Sequence, residues 1–236
     1  DVADVRRPVV DASAAIFGLM IERIFFARLG GESVFSMVMV TIGLLILIRG
    51  IVLVLFGPQV SAFPIIFPLE PIILGDVVIS RSLLYGGILT IVIGLGLSWF
   101  FNRTRVGLTM TAVAEDHQVA MSMGISVQRS IAFAWMLGAV LSTLGAMVHL
   151  SGRSINMMSS DIGLAALPVA LLAGLESLAG LLLAGVLVGV IQGLASAYLD
   201  PLVGGALGSV FPFIIMLLML LIRPTGMFGW KTIERV

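Results

Sequence analysis

The segment Val34–Phe56, VFSMVMVTIGLLILIRGIVLVLF, constrains this chain most: it carries one charge, Arg49, and stops at Gly57-Pro58. A helix rises about 1.5 Å per residue and the hydrocarbon core of a bilayer is about 30 Å thick, so about 20 consecutive apolar residues suffice to cross it. A helix apolar on every face needs lipid or a large core around it. Composition decides for lipid. Of 236 residues, 59% are hydrophobic and 11% charged, against about a quarter charged in soluble domains. The fold class expected is all-α: a polytopic transmembrane helical bundle. A formal net charge of zero leaves no basic excess for binding nucleic acid. With no cysteine and only His117 and His149, thiol chemistry is excluded and no histidine cluster for a metal is expected.

Further spans read off the chain in order. The opening DVADVRRPVVD is polar and unlike a signal peptide, and the apolar run Ala12–Ile21 is too short to cross alone. Either that helix continues into Glu22–Ala27 or the chain starts inside one; the second reading is favoured. Gln59–Ser82, with Pro64, Pro68 and Pro71, reads as an exposed loop that dips back to the surface. Leu83–Phe101 spans, with Trp99 and two Phe as an interfacial belt. Ile131–Leu150 spans next. The run Ile162–Leu199 is too long for one helix and splits at Glu176-Ser177. Its second half, Leu178–Leu199, places Gly180, Gly185, Gly189 and Gly193 near one face, a spacing suited to close packing in lipid. Val210–Ile222 closes the set, giving about six full spans plus a partial N-terminal helix in one transmembrane domain, 1–236.

The longest polar interruption lies at 102–129 and includes AEDHQVAMSMGISVQR at 114–129. Thr111–Met123 is predicted as a short surface helix, stopped by Gly124, with Ser126 free to cap the next. It suits being gripped by a soluble partner, or is an ordinary solvated loop. If this loop is cytoplasmic, Arg23, Arg28, Arg103, Arg105, Arg129, Arg223, Lys231 and Arg235 lie on its side, against Arg81 and Arg153 opposite. That bias follows the positive-inside rule, although Arg6 and Arg7 then fall on the wrong side.

The run at 114–129 resembles the cytoplasmic signature of LivH-type permeases, membrane subunits of branched-chain amino acid ABC importers. Three other stretches agree in order: IERIFFARLGG at 21–31, ALLAGLESLAGLLLAGVLVGVIQGLASAYL at 170–199 and RPTGMFG at 223–229. The resemblance implies a fold of about eight helices, two or three of them N-terminal and absent here, in a bacterial inner membrane. It implies a second, LivM-like permease subunit, two cytoplasmic ATPases using ATP and Mg, and an external solute-binding protein. No cofactor is expected on this chain, which has no phosphate-binding loop and is expected to be no enzyme. The resemblance assigns ATPase coupling to Ala114, Glu115, Asp116, Ala120, Gly124 and Ile125, with small Ala120 and Gly124 permitting close docking. Glu176-Ser177-Leu178-Ala179-Gly180 departs from the Gly-Ser-Ile-Pro-Gly usual in relatives, which leaves a second contact there open. Members of this group also carry urea, short amides or other amino acids.

Three residues are candidates for lining a path. Arg49 lies well inside a span, where a charge costs at least about 2.5 kcal/mol, so it holds a substrate carboxylate or, more simply, snorkels or pairs. Gln192 and Ser196, one turn apart, line a path or serve as packing glue. His149 reads as a helix-end residue rather than a proton relay. No nucleophile and base pair is apparent. A self-sufficient channel or secondary transporter is the competing class, one that would need more paired charges at mid-depth than Arg49 supplies.

Overall fold

Glycine, proline and small polar residues end the helices close to where the sequence placed the breaks. The computed structural model describes residues 2–27, 34–68, 70–74, 77–174, 177–205, 207–223 and 226–228. Helix α1 is Val2–Ile21 and α2 is Val34–Phe56, the latter with the limits read from sequence. It ends at Gly57, whose φ of 72° lies in the left-handed region. Helix α3 is Arg81–Arg103, α4 is Arg105–Glu115, α5 is His117–Ser122 and α6 is Val127–Leu150. Then follow α7, Asp161–Ala173, α8, Leu178–Tyr198, the single turn α9, Asp200–Val203, and α10, Leu207–Ile222. Four of these, α2, α3, α6 and α8, are long and apolar enough to cross a membrane; α7 and α10 are apolar but shorter. The fold is an all-α membrane bundle. Four expected spans meet the length criterion, and the other two fall on α7 and α10.

The N-terminal expectation is revised. The polar first residues belong to α1, and the helix continues past Ile21 as a π-helical turn over Glu22–Phe26, closed by Ala27 N–H on the Glu22 carbonyl at 2.7 Å. Polar side chains did not stop the helix because its packing partner, not its own polarity, holds it. The chain forms two compact units, residues 1–90 with 99–157, and 91–98 with 158–236.

In the first unit α1 lies along α6. A Cβ on Gly18 would stand 2.6 Å from the Trp135 carbonyl oxygen and 2.8 Å from the Ala139 Cβ, so the two backbones touch there. Phe26 stacks on Trp135 with centroids 4.4 Å apart, which makes the pair antiparallel. At the end remote from the 102–129 loop, the expected exposed loop carries short strands. Strand β1 (Ser61–Ala62) pairs with β4 (Ser154–Ile155), and β2 (Ile72–Leu74) forms a hairpin with β3 (Val77–Ile79). Ser151, 4% exposed, accepts from the Ile66 and Phe67 N–H groups at 3.0 and 3.1 Å and ties the loop down.

In the second unit α7, α8 and α10 pack together around Leu172, Ala173, Ala184 and Val188. The packing face of α8 differs from the glycine face expected. Gly180, Ala184, Val188 and Ala195 are buried, whereas Gly189 and Gly193 have open space where a Cβ would stand, and Gly185 meets only Val169 at 3.8 Å. A spacing of four from Gly180 leads to Ala184, one position short of Gly185. That one residue turns the glycine face about a quarter of the circumference away.

The RPTGMFG motif acts as a clip within this unit. The Met227 and Phe228 N–H groups donate to the Leu172 and Ala173 carbonyls at 2.8 and 3.1 Å, filling acceptors that the end of α7 leaves open. Gly226 has φ 79°, and a Cβ on it would lie 2.7 Å from both the Gly174 nitrogen and the Leu171 oxygen. The Phe228 ring covers Gly180, where a Cβ would come within 2.7 Å. Gly226→Ala combines backbone strain with overpacking and is expected to cost about 2–3 kcal/mol. Thermal unfolding of the purified permease checks this, with Gly189→Ala as the control that leaves the midpoint unchanged.

Candidate functional site

The 102–129 loop is built by two backbone corners. At the first, Thr104 ends α3 and caps α4: its N–H and hydroxyl reach the Phe100 carbonyl at 3.0 and 2.8 Å, and its Oγ1 accepts from Gly107 N–H at 3.0 Å. A Cβ on Gly107 would collide with the Phe100 carbonyl and the Phe101 Cα. Only glycine lets α4 fold back so tightly on the end of α3. Gly107, Met110 and Val113 bury one face of α4 at helical spacing, and α4 rests on α6.

The second corner is Asp116. The single helix expected over Thr111–Met123 is instead two, because Asp116 takes an extended conformation, φ −153° and ψ 113°. Its Oδ1 accepts from the Gln118 and Val119 N–H groups at 2.7 and 3.0 Å, an N-cap that competes with helix continuation. Helix α5 ends at Gly124, φ 78°. Ile125 N–H reaches the Ala120 carbonyl and Gly124 N–H the Met121 carbonyl, both at 3.0 Å. This pair of bonds is the Schellman arrangement, with apolar Ile125 set over Ala120. Ser126 occupies the position before α6 without a side-chain cap bond.

The six coupling candidates therefore divide. Ala114, Glu115, Asp116 and Gly124 are exposed and Ile125 is half-buried, but Ala120 is 2% exposed. The small size of Ala120 serves packing inside the loop, which replaces the reason given for it from sequence. The loop also turns three apolar side chains outward, Val119, Met121 and Met123, the last 77% exposed. Sequence reasoning passed over these side chains. Their signal was three apolar residues of good size in an otherwise polar stretch.

The path candidates fall on separate units. Arg49 is half-buried on α2 in the first; Gln192, half-buried, and Ser196, exposed, lie one turn apart on α8 in the second. At Ser196 the helices α8 and α10 are in contact, since a Cβ on Gly208 would strike its Oγ. Gly208 N–H also donates to Asp200 Oδ1 at 2.9 Å. Ser196 thus lies at a helix contact. His149, at the end of α6, is met by Arg153 at 3.4 Å. Glu176, Arg28, Lys231 and Arg235 lie outside the described residues. Among the described residues no group of three or more potential ligands could hold a metal ion.

Helices long enough to span, joined by a built surface loop, are the geometry of a polytopic membrane protein. Residues 9–220 match the family described as branched-chain amino acid transport system / permease component. The chain belongs to that family. It is similar to the high-affinity branched-chain amino acid transport system permease protein BraD of Pseudomonas aeruginosa, 29% identical over 228 residues, covering 93% of this chain and 72% of BraD. It is similar also to LivH of Escherichia coli K12, 26% identical over 233 residues, covering 94% of this chain and 73% of LivH. A probable LivH of Methanocaldococcus jannaschii is 28% identical over 148 residues, 60% of this chain and 47% of that one. No solved structure matches the chain. As a member of this permease family, the chain is an integral membrane protein and a transport subunit.

The Asp116 cap predicts a local effect. Asp116→Ala is expected to destabilise α5 by about 1 kcal/mol, and Asp116→Asn by much less. Amide hydrogen exchange checks it: the N–H groups of 117–122 should exchange roughly five times faster in the alanine variant, with α6 unaffected.

Proposed function

We propose that this chain is the membrane permease subunit of an ABC importer that carries branched-chain or similar amino acids across a bacterial inner membrane. One permease domain over 1–236 would work with a LivM-like second permease, an external solute-binding protein and two cytoplasmic ATPases. Those ATPases would use ATP and Mg, and this chain would bind no cofactor and hydrolyse nothing. The observation that carries the reading is the 102–129 loop. An ordinary solvated loop does not need a helix buried against the span, a carboxylate cap, a Schellman stop and an outward apolar set. A surface built to be held does.

In this reading Val119, Met121 and Met123 enter an apolar cleft on an ATPase, and Glu115 meets a basic rim. Helix α4 transmits the movement because it buries one face, Gly107, Met110 and Val113, and rests on α6. Closure of the nucleotide-bound ATPases would then displace α6. Arg49 and the open face of α8 around Gly189 and Gly193 are assigned to the neighbouring permease or to lipid, in keeping with small-residue packing in membranes. A secondary carrier would have no use for such a loop.

The test is reconstitution of the full-length chain with its partner subunits in liposomes. Gly124→Val puts a β-branched residue at φ 78°, where only glycine is unstrained. It is expected to reduce ATP-driven leucine uptake at least tenfold while the subunit still inserts. Met123→Asp should weaken recovery of the ATPases in co-purification. Native uptake in both variants, or uptake by this chain alone without ATP, overturns the proposal.

A further inference from the structure

Between α1 and α6 lies a cavity of about 550 Å³ whose lining includes Phe17, Gly18, Trp135, Gly138, Ser142 and Thr143. Its volume is within the range of small-molecule sites, about 300–1,000 Å³. The α6 residues lining it fall in the middle of the Val127–Leu150 helix, one of the four long enough to span. That puts the cavity near mid-depth, where transporters of other folds hold their cargo. The walls are mixed in a particular way. The Phe17 and Trp135 rings and Ile21 are apolar, Gly18 and Gly138 keep space open, and Ser142 and Thr143 bring hydroxyls to one end.

Just beyond the lining on α1 stands an acidic residue that the coupling loop does not use. Asp11 lies one turn before Ala14, which lines the cavity, on the same face of α1. The antiparallel run of α1 and α6 brings it to the level of Ser142 and Thr143. Its Oδ1 is buried and, among the described residues, has no hydrogen-bond partner. A buried acceptor left unsatisfied is costly, and a carboxylate at membrane depth more so, so such a group marks a place where a cation or donor is received.

Resting on the transport reading above, we propose that the α1–α6 cavity is a transit site for a zwitterionic amino acid with an apolar side chain. The ammonium group pairs with Asp11, the carboxylate takes a hydrogen bond from Ser142, and the side chain lies against Phe17 and Trp135. The Thr143 hydroxyl donates to the Ala139 carbonyl at 2.9 Å, which leaves its oxygen as a further acceptor for the ammonium. A site with one charged contact holds cargo loosely enough to release it, as conduction requires. Because α4 rests on α6, a displacement of α6 driven from the loop would change the depth of the cavity.

The chain has no cysteine, so Ala134→Cys, at a lining position to which the proposal gives no contact with the cargo, gives a single thiol in it. In the assembled importer with full-length chain, this thiol is expected to react with a charged, water-soluble thiosulfonate reagent. Saturating leucine should slow labelling at least tenfold. 4-Methylpentanoate, which is leucine without its amine, should not. Asp11→Asn in the same background should abolish the leucine protection, and Asp11→Glu should retain part of it. Gly138→Leu, whose Cβ meets nothing within 4 Å, should fill the cavity and reduce leucine uptake about tenfold. Gly145→Leu, on the same helix and equally open, should not.

An unreactive Ala134→Cys thiol means a lipid-filled groove and overturns the inference. So does labelling that leucine leaves unchanged, or equal protection by 4-methylpentanoate. If the native complex takes up leucine while Asp11→Asn and Gly138→Leu match it, the site is wrong and the transport reading stands. If the native complex does not take up leucine, the transport reading has failed first.

Discussion

In lipid no water is available to satisfy a backbone N–H or C=O, so every interruption of a helix must supply its own partners. Much of this structure is the working out of that constraint. The end of α7 would leave open carbonyls at Leu172 and Ala173, and the chain returns more than fifty residues later to fill them with the Met227 and Phe228 N–H groups. The step from α3 to α4 is satisfied by one threonine acting as donor and acceptor together. Where two outer loops meet, the Ser151 hydroxyl takes two N–H groups at once. In each case a residue that looks incidental in the sequence satisfies backbone groups that the end of a regular element leaves open.

That constraint also explains which parts were legible. The limits of α2 and α8 follow from length and apolarity, because the bilayer fixes both, and Gly57 and the Ser177 cap mark where they stop and start. The Gly124 stop was legible for the same reason, since a left-handed terminus is a local property of glycine. The break at Asp116 was not read. Its neighbours Glu115 and Gln118 are good helix formers, and nothing in composition shows a carboxylate turning back on the N–H groups two and three residues on. The extent of α1 was left open between two readings, because hydropathy says nothing of a helix held by a neighbour.

The glycine pattern on α8 shows where periodicity alone runs out. Gly185, Gly189 and Gly193 share a face, and small residues at that spacing do let helices approach. Spacing does not say whether the partner belongs to the same chain. Here Ala184 and Val188 take the internal contact and the glycines remain open. The separation of tasks is physically sensible. Inward positions need volume to exclude voids around Leu172 and Ala173, whereas a face without volume of its own can accept a neighbouring helix at short distance. Coupling residues divide the same way: Ala120, Gly124 and Ile125 give the loop its shape, and Val119 and Met123 give it an apolar outside.

Loop and cavity share one element, α6, and that bears on how an importer of this kind could work. Helix α4 rests on α6, and Gly18 of α1 lies on the same helix at Trp135 and Ala139. A contact between α1 and α6 in which a glycine seats directly on backbone resists compression but has little side-chain interdigitation to resist sliding. The π-helical turn at Glu22–Phe26 follows directly, and such turns are where helices most readily change register. Movement of α6 along its axis would therefore be taken up at the end of α1 and not by separation of the pair. Ser142 and Thr143 would then shift relative to Asp11 while α1 and α6 stayed in contact. A transit site opened and shut by sliding exposes its charged end to water without exposing helix backbone to lipid, which is the one thing the fold elsewhere takes such care to avoid.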